Sequence, residues 1–185
     1  LNAENGPTAN YDPVSNISLE ISGGRSIDVL EIDGASNRGI EEIRNLREQI
    51  KFAPMNCTYR VIIIDEVHML TNQAFNALLR TLEEPPSHAK FIFCTTDVHK
   101  IPPTIISRCQ RFDFNRISSA DIVKHLSLVL EKEKIIFDSE SIALISRKAD
   151  GSMRDALSLL DQVIAFCGEK IEYKSVMDAL GLVNS

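Results

Sequence analysis

The sequence has 185 residues, 44% of them hydrophobic and 25% charged, and a formal net charge of −6. That is enough chain to bury a core in one domain or two small ones, and it contains no apolar run long enough for a membrane-spanning helix. The acidic balance argues against a generally basic nucleic-acid coat but leaves room for a local basic track.

Residues 1–24 (LNAENGPTANYDPVSNISLEISGG) are rich in Asn, Ser, Gly and Pro and read as a loop or loosely ordered terminus. Leu1 in place of Met puts the expected true start upstream, and no signal peptide is visible. Asp28 to Asp33 (DVLEID) reads as a sheet strand, and Gly34 to Gly39 as the turn that opens a helix. In that helix Ile40, Ile43, Leu46 and Ile50 recur at helical spacing, with Glu41, Glu42, Arg44 and Arg47 facing out, and Pro54 closes it.

Val61-Ile62-Ile63-Ile64 is an apolar, β-branched run of the kind buried on both faces in a parallel sheet. It ends in Asp65-Glu66. A buried strand delivers such charges only at its C-terminal edge, where open α/β sheets place their ligands. Thr71 is a good N-cap for a helix running from Asn72 to Glu84, with Ala74, Phe75, Leu78, Leu79 and Leu82 on its apolar face and Pro85-Pro86 as its stop. Lys90 to Thr96 is a third strand ending in hydroxyls; it makes Cys94 a buried small apolar residue.

Pro102 to Ile106 opens a short helix that runs into Ser107-Arg108-Cys109, and Gln110 to Phe114 (QRFDF) alternates like an edge strand. From Ser118 the pattern turns helical. Ser118 to Asp121 resembles a capping box, a second helix starts at Phe137-Asp138, a third at Ser152 running to Gly168, and a short last one spans Val176 to Leu180. The four cysteines, Cys57, Cys94, Cys109 and Cys167, form no CxxC pair and lack metal-ligand spacing, the usage of a reduced, cytoplasmic protein.

Asp65-Glu66 looks like a Walker B element, in which Asp65 would hold Mg²⁺ beside nucleotide phosphates and Glu66 would activate the attacking water. The longer string DEVHMLT-x-x-AFNALL-x-TLEEPP, from Asp65 to Pro86, resembles the bacterial clamp-loader ATPases, specifically the gamma/tau type of DNA polymerase III. The resemblance runs along essentially the whole chain. It implies an α/β fold of the AAA+ (P-loop NTPase-like) class with a parallel sheet, truncated at its N-terminus and followed by a small helical lid. The expected division is a degenerate zinc-module region at 1–24, a partial ATPase core at 25–116 and a lid at 117–185.

The resemblance also assigns roles. Thr96, with Thr95 beside it, takes the place of the polar sensor of γ-phosphate or the lytic water. Ser107-Arg108-Cys109 matches the arginine-finger motif, whose arginine reaches the ATP site of the adjacent subunit. GSMRDALSLLDQ matches the sensor 2 motif and turns Arg154 toward the nucleotide. The helix after Gly39 points its N-terminal end at the DNA channel, where Arg38 and Arg44 would meet phosphate. Plainer readings stand beside these: Arg108 paired with Asp113 or Asp97, Arg154 with Asp155 or Asp150, and Arg38 and Arg44 on an ordinary solvated face.

Where the family carries zinc-binding cysteines spaced C-x8-C-x2-C-x2-C, this chain has Ala3, Asp12, Ser15 and Ser18. Zinc is therefore expected to be lost. No G-x-x-x-x-G-K-[ST] occurs in the 185 residues. That loop is expected upstream of Leu1, unless this subunit never had it, and the collar domain is expected beyond Ser185. ATP and Mg²⁺ are the implied cofactors of the full-length protein, and this stretch by itself is expected to be inactive. Implied partners are delta, delta-prime and further gamma/tau subunits, the sliding clamp and primer–template DNA, within a nucleotidyltransferase assembly. Two other readings remain: an ATPase-inactive structural subunit like delta-prime, against which Asp65-Glu66 and Arg154 speak, and another AAA+ machine such as a branch-migration motor.

Overall fold

In a computed structural model, the described residues are 1–4 and 6–182. Asn5 and the last three residues of the expected lid lie outside them. The chain divides into two compact units, Leu1–Arg111 and Phe112–Ser185.

The first unit opens with helix α1 (Asn16–Ser22), capped by Ser15, whose Oγ accepts from the Ser18 N–H. The expectation of a loop through residue 24 is corrected: a Ser three residues ahead of a backbone donor is enough to start a helix here. The terminus is also anchored. The Asn2 side chain donates to the Tyr59 carbonyl and accepts from the Tyr59 N–H, both at 2.9 Å.

Strand β1 (Val29–Asp33), helix α2 (Ile40–Gln49), strand β2 (Arg60–Asp65), a 3₁₀ turn at Val67–Met69, helix α3 (Asn72–Glu83) and strand β3 (Ala89–Phe93) follow. The sheet is parallel in the order β1-β2-β3, with Asp33 level with Asp65 and Ile64 level with Phe93. As the central strand, β2 is the driest: Ile62 and Ile64 are fully buried and Val61 nearly so. Ile43, Leu46 and Ile50 of α2 and Phe75 and Leu78 of α3 belong to the same core. Thr71 caps α3 as its sequence predicts, accepting from the Ala74 N–H.

Cys94 is exposed, which corrects its reading as a core residue. Among the described residues β3 lies at the end of the sheet, so its alternate residues Lys90, Ile92 and Cys94 face water while Phe91 and Phe93 turn inward. A 3₁₀ turn at Val98–Lys100 and the short helix α4 (Pro103–Ile106) end the unit. The predicted edge strand at Gln110–Phe114 does not form; residues 110–118 have no regular structure, and Phe112 and Phe114 are exposed. An alternating pattern makes a strand only where a neighbour offers a ladder of hydrogen bonds, and no described segment does so here.

Asp28 sits just ahead of β1, fully buried. Its carboxylate accepts from the N–H groups of Met55, Asn56 and Cys57 at 2.7–3.0 Å and from the Arg60 guanidinium at 3.2 Å. Arg60 also donates to the Gln49 carbonyl at 2.6 Å, tying the end of α2 to the start of β2. Burial pushes the Asp28 carboxyl up, but the hydrogen bonds from Asn56, Met55, Arg60 and Cys57 outweigh it and hold the pKa below the usual range. Because the folded value is depressed, this stabilisation is present above the unfolded value near pH 4 and is lost as pH falls through the folded value. Asp28→Asn is expected to destabilise the unit by about 3–5 kcal/mol, since it strands Arg60 without its counter-charge. Urea titrations from pH 7 down to pH 3 measure both effects; a loss under about 1 kcal/mol at pH 7, in the range of an exposed pair, would show the pair to be dispensable.

The second unit holds α5 (Ser119–Glu133), β4 (Ile136–Phe137), α6 (Ser139–Lys148), α7 (Met153–Cys167), β5 (Lys170–Ile171) and α8 (Tyr173–Ala179). Ser118, Asp138 and Ser152 each cap a helix through a side-chain oxygen. Its core includes Ile122, Leu126, Leu130, Ile142, Ile145, Leu160 and Val176. The parallel pair β4–β5 has two residues per strand, too few to show a period in sequence.

Candidate functional site

Strand β2 carries Asp65 to the C-terminal edge of the sheet, where its side chain is exposed. Asp65 Oδ1 accepts from the Glu66 N–H at 2.9 Å. Glu66 then leaves the strand in a left-handed conformation, φ 46° and ψ 43°, a region that disfavours side chains with a Cβ. Neighbouring backbone holds it there. Gly34 donates to the Asp65 carbonyl at 2.8 Å, and a Cβ on Gly34 would lie 2.8 Å from the carbonyl oxygens of both Asp65 and Glu66. The next N–H, from Val67, donates to the Cys94 carbonyl at 2.9 Å. Only glycine at position 34 lets β1's following turn approach this closely.

The turn brings Glu66 to the polar end of β3. The Thr96 hydroxyl donates to Glu66 Oε2 at 3.0 Å. His68 Nδ1 lies 3.1 Å from the same oxygen and 3.0 Å from Thr95 Oγ1. Asp65, Glu66 and Thr96 thus gather at one sheet edge, together with His68, which sequence reasoning did not single out. Its signal was faint: it is the histidine two residues after the glutamate in DEVH.

Arg108 follows α4 and is exposed. It donates to Glu83 Oε1 at 3.0 Å and to the Thr104 carbonyl at 2.8 Å. Glu83, of the TLEEPP string, is a partner the sequence reading did not name, and Asp97, one of the plainer partners, pairs with Lys100 instead. Arg154 lies in the first turn of α7, exposed and without an ion pair among the described residues. Asp150, one plain partner for it, pairs instead with Arg116. A cation at a helix N-terminus opposes the helix dipole, so its surroundings favour an anion.

Arg38 is exposed, and its Nε donates to the Met69 carbonyl at 3.1 Å. Arg44 pairs with Glu41 one turn earlier. Arg44 and Arg47 of α2 and Arg80 of α3 line one groove with Gln73 and Asn76. Arg80's contribution was not legible without the pairing of the two helices.

At the positions that the resemblance aligns with zinc ligands, Ser18 donates to the Asp12 carbonyl at 2.6 Å, and the single Ser15 hydroxyl hydrogen has the Asp12 carbonyl at 3.1 Å and Ser18 Oγ at 2.9 Å as acceptors. Ser15 Oγ is also the N-cap of α1. Among the described residues no three His, Cys, Asp or Glu side chains converge as metal ligands.

A parallel sheet ending in paired carboxylates, with a polar strand end beside them and a separate helical unit, is an AAA+ module. The Thermotoga maritima RuvB Holliday junction branch migration motor shares the fold, with a TM-score of 0.71 over 90% of this chain and 56% of that one, at 12% identity. The family model described as DNA polymerase III, delta subunit, matches residues 1–118, and that of the DNA polymerase III clamp loader subunit, ATPase lid domain, matches 121–169. The chain belongs to this family of DNA polymerase III clamp-loader subunits. It is 54% identical to DNA polymerase III subunit tau of Bacillus subtilis over 89% of this chain and 29% of that protein. It is 46% identical to subunit gamma of Buchnera aphidicola from Acyrthosiphon pisum, over 99% of this chain. The chain spans 51% of that relative's length.

Proposed function

We propose that the chain belongs to an ATPase motor subunit of a bacterial sliding-clamp loader, which couples ATP binding and hydrolysis to placing the ring clamp on primer–template DNA. The observation that carries this is the Glu66 carboxylate hydrogen-bonded by Thr96, with His68 Nδ1 3.1 Å away, at the sheet edge beside Asp65. A subunit that never hydrolysed ATP has no use for a glutamate held in a costly backbone conformation at a sheet edge.

Asp65 offers a hard carboxylate oxygen, the donor type Mg²⁺ takes, and one or two carboxylates suffice where phosphates and waters complete the shell. When bound, Mg-ATP supplies the phosphoanhydride and the charge neutralisation at its phosphates. Glu66 receives a proton from the attacking water. Thr96 exchanges its hydrogen bond to Glu66 for one to phosphate and so reports the phosphate's presence. Arg154 holds phosphate charge in its own subunit, and Arg108 supplies charge to the neighbour's. Arg38 and Arg44 meet the DNA backbone, with Arg47 and Arg80 extending the basic groove. We divide the chain into a degenerate zinc region at 1–24, an ATPase core at 25–116 and a lid at 117–185. Delta, delta-prime and further gamma/tau copies are the expected neighbours. No helix among the described residues is long and apolar enough to cross a membrane, and a cytoplasmic location fits the reduced cysteines.

Reconstitution tests the reading. The full-length protein, assembled with its partner subunits, is expected to turn over ATP faster when clamp and primed DNA are added, and to load the clamp. Turnover indifferent to both would overturn it.

A second expectation concerns residues 1–185 alone, which contain no phosphate-cradling Gly-rich loop and have Ala3, Asp12, Ser15 and Ser18 at the zinc positions. Calorimetry should show very weak Mg-ATP binding, and elemental analysis no stoichiometric zinc. Micromolar ATP affinity, or one zinc per chain, would contradict these two inferences.

A further inference from the structure

His68 sits in the middle of the 3₁₀ turn that follows Glu66, with its side chain 9% exposed. A ring this dry needs partners for its nitrogens. Nδ1 faces Glu66 Oε2 at 3.1 Å and Thr95 Oγ1 at 3.0 Å. An ionised carboxylate can only accept, so the contact with Glu66 is attractive only if Nδ1 carries the hydrogen. Thr95 Oγ1 already accepts from the Asp97 N–H at 3.0 Å and has a second lone pair to share. Oε2 therefore accepts from Thr96 and has the His68 Nδ1–H, itself hydrogen-bonded to Thr95, 3.1 Å away on its other side. Oε1 has no hydrogen-bond partner among the described residues.

We propose that His68 is a positioning residue for Glu66: its Nδ1–H, hydrogen-bonded to Thr95 and 3.1 Å from Oε2, attracts that oxygen and so fixes the rotation of the carboxylate with Oε1 facing the water it deprotonates. The role rests on the reading of Glu66 as the base. The left-handed backbone at Glu66 makes the contact possible, because it folds residues 66 and 68 onto the same side of the turn. Thr96 holds the same oxygen from the neighbouring strand. When Thr96 turns to phosphate, His68 keeps the carboxylate oriented. The imidazole then carries the orientation through the step in which the base works.

The test uses the full-length, assembled loader carrying His68→Ala, His68→Asn or Glu66→Gln, and Glu66→Gln combined with His68→Ala. His68→Ala is expected to lower kcat by up to about 100-fold, the scale of a small misplacement of a reacting group, with ATP affinity unchanged. Asn carries an N–H at the place of Nδ1 and should recover part of the loss. The double variant should be no slower than Glu66→Gln alone, since His68 acts through Glu66. Imidazole ¹⁵N shifts in wild type should report the Nδ1–H tautomer. Thermal melts confirm that each variant is folded. Unchanged kcat in His68→Ala, no recovery with Asn, additive losses in the double variant, or an Nε2–H tautomer would each overturn the proposal while leaving Glu66 as the base. Full activity in Glu66→Gln would instead remove the base assignment, and the role of His68 with it.

Discussion

Arg108→Ala in one subunit of the assembled loader is expected to silence the adjacent subunit's ATP site by about 10³–10⁵-fold, the loss typical of a missing arginine finger. The mutated subunit's own ATP affinity should stay intact. Arg108 lies on the surface after α4, where its guanidinium is held by Glu83 and the Thr104 carbonyl. The Arg108 and Glu83 side chains are 36% and 50% exposed. A pair this open contributes only about 0–1 kcal/mol. Exchanging Glu83 for a neighbour's phosphate therefore costs little, and the planar fork suits either partner. The same small energy limits what the mutation can do to the fold: melting should shift within the range of a surface substitution. Mixed assemblies with the variant in one position assign the loss. If turnover fails in the mutated subunit itself, or stability falls as far as activity, the arginine does not act across the interface.

Glu66→Gln in the full-length, assembled loader should leave ATP binding and clamp opening in place and reduce turnover by about 10²–10⁴-fold, as for loss of a general base. Gln keeps the length of the side chain, and its amide oxygen can still accept from Thr96. It has no basic lone pair strong enough to take a proton from water. The backbone is indifferent to the change, since Gln and Glu bear the same cost at positive φ. Binding measured separately from turnover decides the matter. Equal loss of both would make Glu66 a structural residue.

The strands, helices and most caps were legible because their causes are local. The run Val61–Ile64 had to be a buried strand, and Thr71 had to start a helix, from nearest neighbours alone. The carboxylates were legible because a buried strand has one place to put charge. The contacts that were not legible span distant positions: Asn2 with Tyr59, Asp28 with Arg60, His68 with Thr95, and Glu83 with Arg108. Each needs the register of two elements before either residue type means anything. Gln110–Phe114 failed in the opposite way. Its alternation was real, but a strand is made by two segments, and the described residues provide one. Cys94 failed for a related reason, since an end strand shows half its residues to water.

The left-handed turn at Glu66 also sets how this position would respond to protein engineering. Glycine, and to a lesser degree asparagine, adopts φ near +46° at less cost than glutamate. A library sorted for heat resistance alone would therefore drift toward Gly or Asn at 66, gaining stability and losing the carboxylate that the turn places at the sheet edge. If Glu66 is the base proposed above, selection in such a library would have to score turnover alongside melting, or it would enrich well-folded proteins without the carboxylate.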